Sequence, residues 1–165
     1  MKRTIAAIAL TCAACVSSKS NVNVENRAAA IEVLKAWTPT AQDIEKRDAA
    51  TPPTDFADLA RRARSAAINQ YVWRDPSSVV IEVAKLAKST MGPMSGWFMC
   101  GRISAKNSFG GYGSPGVFSA LVSDDGANIE SPIVVMFDVD ITACDLPAAT
   151  GVVVLDSKVW APPLQ

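Results

Sequence analysis

The residues best equipped for chemistry are two cysteines, a pair of aspartates and one lysine. Cys100 and Cys144 are the only cysteines beyond position 15. Bridging them would close a loop of about 45 residues, worth roughly 4 kcal/mol on a chain-entropy argument. The competing reading is a reactive thiol. That needs a base or an electropositive pocket to lower the thiol pKa, and only Arg102 or Lys106 stands near enough in sequence to supply one. Asp138 and Asp140 sit two apart in an apolar run, so on a strand both carboxylates face one way. Such a pair can serve hydrolysis or hold Ca²⁺, although D-x-D alone is a sparse calcium ligand set. Lys106 could act as a base only if burial lowered its pKa.

The chain contains no histidine. Ser-His-Asp and Cys-His mechanisms within the chain are therefore excluded, as are the usual His-containing zinc sites. Residues 111–116, G-Y-G-S-P-G, fit G-x-G-x-x-G by letter. The dinucleotide fingerprint needs a helix after the last glycine. Here a strand pattern, V-F-S-A-L-V, follows, so the match is accidental and no cofactor is expected. The bland reading is a β-hairpin whose glycines supply positive φ and close backbone approach.

The elements that must position these groups follow from periodicity. Residues 25–37 carry apolar side chains near helical spacing, and Pro39 ends that run. A short helix is expected around residues 42–48. Thr54 is expected to cap a longer helix with Asp55 and Asp58 in its first turn. Phe56, Leu59, Ala60, Ala63, Ala67 and Tyr71 form its apolar stripe. Arg61, Arg62 and Arg64 fall mostly off that stripe and read as a solvated basic face with an Asp58–Arg62 pair. Asp75-Pro76 breaks the helix.

Strand patterns then follow at residues 79–84, 97–105, 116–123 and 152–155. Residues 85–93 read as a loop punctuated by Gly92-Pro93, and Asp124-Asp125-Gly126 as a turn. The most β-prone run, residues 133–141, is the expected central strand. Helices first and strands afterwards, with short connections, give an α+β fold: N-terminal helices packed on a mostly antiparallel sheet of four to five strands.

The first 15 residues, M-K-R-T-I-A-A-I-A-L-T-C-A-A-C, place two basic residues before an apolar run too short to span a bilayer. This is the pattern of a secretory signal over residues 1–14. C-A-A-C resembles the lipobox of bacterial lipoproteins, in which a cysteine after small residues is lipidated. Cys15 matches that cysteine; Cys12 stands where leucine is usual. The resemblance implies a lipid anchor at Cys15, and Val16 after it implies sorting to the outer membrane, periplasmic side. The alternative is a soluble periplasmic or secreted protein. Residues 15–24 then form a flexible tether and residues 25–160 a single domain. With Cys12 discarded and Cys15 acylated, Cys100 and Cys144 remain as an even pair in an oxidising compartment.

The 165 residues carry 16 basic and 16 acidic side chains. Losing Lys2 and Arg3 with the leader tips the balance to the acidic side. A faintly acidic protein is a poor nucleic-acid binder, because that function rests on clustered Lys and Arg.

One further resemblance concerns D-P-S-S at residues 75–78 and C-G-R-I-S-A-K-N-S-F-G-G-Y at residues 100–112. The pairing is similar to a pattern in small bacterial envelope proteins, many of them lipoproteins, for which no activity is established. Asp75, Pro76, Ser78, Cys100, Gly101, Ala105, Lys106, Asn107, Ser108, Gly110, Gly111 and Tyr112 match; Ser104 stands in place of asparagine. The resemblance implies a shared small domain and an envelope location. Lys106, Asn107, Phe109 and Tyr112 on the hairpin are the candidate contacts for an envelope protein or a glycan. The alternative is an envelope hydrolase or metal-binding protein using Asp138/Asp140 or Lys106.

Overall fold

The computed structural model describes residues 32–161 other than Leu34, Ser131 and Asp138, and the backbone alone at Ser157. The leader, Cys15, the tether, most of the helix expected over residues 25–37, and Asp138 lie outside the described residues.

Helix α1 spans Ala41–Ala49. Thr40 starts it: its hydroxyl accepts from Asp43 N–H, and the Asp43 carboxylate reaches back to Thr40 N–H at 2.9 Å. This reciprocal pairing satisfies two otherwise orphaned donors. Helix α2 spans Phe56–Gln70, capped by Asp55 rather than Thr54; the Asp55 carboxylate accepts from Asp58 N–H at 2.8 Å. An ionised cap at a helix N-terminus also gains from the helix dipole. A 3-10 turn, Pro76–Ser78, leads into the sheet.

Five strands follow: β1 (Val80–Met91), β2 (Met94–Ser104), β3 (Gly116–Leu121), β4 (Val134–Met136) and β5 (Thr150–Ala161). All their pairings are antiparallel, in the order β4-β3-β2-β1-β5. The fold is α+β, with the helices ahead of the strands.

Three expectations are corrected. Residues 85–91 continue β1 instead of forming a loop, and Gly92-Pro93 is the two-residue link between the paired Met91 and Met94. Gly92 takes φ 59°, the positive value that tight hairpin loops demand at their first position. The run was illegible as a strand because Leu86, Ala87, Ser89, Thr90 and Met91 are all buried, which erases the alternation expected of a strand with one wet face. Residues 133–141 contribute only the three residues of β4, at the sheet edge, so this run is not the central strand. The last strand is twelve residues long and forms the opposite edge.

The two faces are covered differently. On one, Leu59, Ala60, Ala63 and Ala67 of α2 pack on Ile81, Val83, Met99, Ile103, Phe118 and Ala120. Small alanines let the helix approach the sheet closely. On the other, a second 3-10 turn, Ala143–Asp145, lies against Ala87, Phe98 and Leu121. Three links hold it there. Cys100 and Cys144 form a disulfide. Ala143 N–H donates to the buried Ser119 hydroxyl at 2.9 Å. The Asp145 carboxylate pairs with Lys85 Nζ. Gly101, beside the disulfide on β2, admits no side chain: a Cβ there would sit 1.8 Å from Glu82 O.

Candidate interaction site at the D-P-S-S turn and the glycine-rich hairpin

The two sequence motifs meet in space. Asp75 closes the 3-10 turn: its carboxylate accepts from the Ser77 hydroxyl at 2.5 Å and from Ser78 N–H at 3.3 Å. The Ser78 hydroxyl donates to Asp75 O at 2.8 Å and accepts from Lys106 N–H at 2.8 Å. The hydroxyl is thus used in both directions, and it ties the turn to the root of the hairpin.

Arg64 ties the same turn to α2. Its Nε donates to Val79 O and its Nη2 to Ser77 O, the latter at 2.9 Å. This corrects the reading of Arg64 as part of a solvated face: it is fully buried. Arg61 and Arg62 do pair with Asp58 at the surface, at 3.1 and 2.6 Å. The signal was present in the spacing. Arg64 stands four residues after Ala60 and seven before Tyr71, both on the apolar stripe, so it belongs to the inward face. Burial pushes the Arg64 guanidinium down from its ordinary value, and the nearby Tyr112 phenol acts in the opposite direction. Nη1 is buried without a hydrogen-bond partner among the described residues.

The hairpin, residues 105–113, carries every candidate contact residue. Lys106 and Tyr112 face each other in a β-bridge. Asn107 organises the tip: its N–H donates to Gly111 O at 2.8 Å, its carbonyl accepts from Gly110 N–H at 3.1 Å, and its side-chain oxygen accepts from Phe109 N–H at 2.9 Å. Gly110 takes φ 79°, which only glycine adopts at little cost. Phe109 is left 95% exposed and Tyr112 49% exposed. No helix follows Gly116; β3 does.

Electrostatically the site is mild. A hydrogen bond from Ser77 holds the Asp75 carboxyl below the usual range, helped by Ser78 N–H and the Lys106 charge. Cys100 and Cys144 lie outside it, on β2 and the second 3-10 turn.

The arrangement presents rather than encloses. A shallow groove of about 450 Å³ is lined by Asp58, Arg61, Arg62, Ser65, Ala66, Asn128 and Ile129. A smaller one of about 200 Å³ is lined by Val80, Glu82, Arg102, Ser104, Pro115 and Trp160. Neither groove takes in Lys106 or Asp140, and Asp138 lies outside the described residues. Among the described residues, no three His, Cys, Asp or Glu side chains are grouped to hold a metal ion.

Sequence reasoning missed Arg64 and Ser78 as the anchors. The D-P-S-S motif was visible, but nothing in the sequence said that its last serine would reach a backbone amide on the second motif. Compared with protein-family models, with curated proteins and with solved structures, the chain matches none of them.

Proposed function

We propose that this chain is a binding or scaffolding domain of the bacterial envelope, lipid-anchored through Cys15 on the periplasmic side of the outer membrane. Its contact surface is the hairpin tip carrying Phe109 and Tyr112, with Lys106 and Asn107 beside them. The partner is another envelope component, a protein or a glycan strand. The lipobox-like C-A-A-C and the paired distal cysteines support the location, since disulfides persist in oxidising compartments.

One observation carries the contact assignment: Phe109 is 95% exposed inside a turn closed by Gly110 N–H to Asn107 O and Asn107 N–H to Gly111 O. A phenylalanine in that position gains nothing for the fold. An exposed aromatic on a hydrogen-bonded turn is efficient at an interface, because it offers a large contact area and its backbone has little left to order on docking.

The test is a photo-crosslinking residue placed at position 109 in cells, with position 45 on the exposed side of α1 as reference. The proposal expects a discrete crosslinked species from position 109, in the membrane fraction, that position 45 does not give. Equal or absent crosslinking at both sites in a folded protein overturns it.

A further inference from the structure

The second groove is built on a three-strand row. Glu82 on β1 is the register partner of Arg102 on β2 and of Trp160 on β5. Residues directly opposite in a sheet point to the same face. Indole, carboxylate and guanidinium therefore stand side by side, on the face opposite Ile81, Val83 and Ile103 of the main core. The disulfide-held turn covers that face further along, over Ala87, Phe98 and Cys100. At this end the row borders open space: Trp160 is 54% exposed and Arg102 is exposed.

Charge distinguishes the three. Glu82 is paired with Lys158, Oε1 to Nζ at 2.6 Å. Arg102 has no carboxylate within ion-pair distance among the described residues. The groove thus combines an apolar ring face, a carboxylate that accepts hydroxyl hydrogens, and an unspent guanidinium fork. A fork of this kind recognises a carboxylate through two parallel N–H bonds. At about 200 Å³ the groove is smaller than typical small-molecule pockets, and it suits one ring rather than a large ligand. Strand addition at the neighbouring edge is disfavoured. The β1–β5 register shifts between Val83 and Lys85, so β5 bulges over residues 155–158 and offers no straight ladder.

We infer that this groove binds a carboxylate-bearing saccharide. One pyranose stacks its C–H face on Trp160, its hydroxyls donate to Glu82, and its carboxylate takes the Arg102 fork. The inference stands independently of the hairpin tip.

The full chain is titrated with a short oligogalacturonate and with its methyl ester, which is neutral at the same ring. Binding is read from the indole N–H resonance of Trp160, identified by its absence in Trp160→Phe. The expected result is a saturable shift with the acid, at least about ten-fold weaker binding of the ester, and loss of that discrimination in Arg102→Gln, since ten-fold is the worth of one charge-assisted contact. Trp160→Ala, followed through the backbone amide resonances of Glu82 and Arg102 because the indole is gone, should bind neither; if that variant misfolds, Arg102→Gln alone decides. No saturable shift, equal binding of acid and ester, or undiminished discrimination in Arg102→Gln overturns the inference.

Discussion

The Lys106 backbone N–H donates to the Ser78 hydroxyl at 2.8 Å, joining two residues 28 apart in sequence. This bond connects the D-P-S-S turn to the glycine-rich hairpin. The same hydroxyl donates to Asp75 O, and Arg64 holds two further carbonyls of that segment, those of Ser77 and Val79. The hairpin is therefore braced, through one serine and one turn, against the buried face of α2. The loop that carries Phe109 is thus tied at its root to the domain.

Ser78→Ala removes both bonds and leaves Lys106 N–H without its acceptor. Loss of about 1–3 kcal/mol is expected from chemical denaturation, with the Lys106 amide exchanging faster while amides in β1 and β2 keep their relative protection. Unchanged exchange at Lys106 would mean that the brace does not hold the hairpin.

Arg64→Lys keeps the charge but not the fork. A single ammonium on a flexible stem cannot reproduce two directed bonds to Val79 O and Ser77 O. Destabilisation of about 1–3 kcal/mol is expected, with resonances of residues 75–79 and 106–112 shifting together. Shifts confined to α2 would contradict the coupling between turn and hairpin.

Gly101→Ala places a methyl carbon 1.8 Å from Glu82 O, a backbone atom that cannot swing away. The two central strands must separate locally. Overpacking of this kind costs about 1–3 kcal/mol or more. A melting temperature equal to that of the parent would show that β1 and β2 are looser than described.

Burial raises the Asp145 carboxyl, but the hydrogen bonds from Lys85 and Thr142 outweigh it and leave the carboxyl below its ordinary 3.8. A depressed folded-state value means stability that is present at neutral pH and is lost as pH falls through the folded value. The stability gap between the parent and Asp145→Asn should therefore be widest above about pH 4 and narrow below it. Paired denaturation curves across that range check it; a gap independent of pH would contradict the pairing.

The order of helices and strands was legible because α2 has a clean stripe and the later strands are short and punctuated. The β1–β2 hairpin was half legible. Its second arm showed strand spacing, but Leu86, Ala87, Ser89, Thr90 and Met91 are buried on both faces and lose the period-two signature. Residues 133–141 misled for the converse reason. Their β-branched side chains signal compatibility with a pleated surface, not a place in the middle of a sheet. The four candidate contacts on the hairpin were chosen from turn chemistry and aromatic content. Arg64 and Ser78 were not found as anchors, since a hydrogen bond to a distant backbone atom leaves no pattern along the chain.

As proposed above, the domain works beyond a lipid leash in an oxidising compartment. Intact mass of the native protein taken from membranes, measured with and without reductant, tests it most directly. The account predicts a chain that begins at an acylated Cys15 and gains the mass of two hydrogens on reduction, from the Cys100–Cys144 bridge. An unacylated chain that still carries residues 1–14, with Cys100 and Cys144 already reduced, would contradict it.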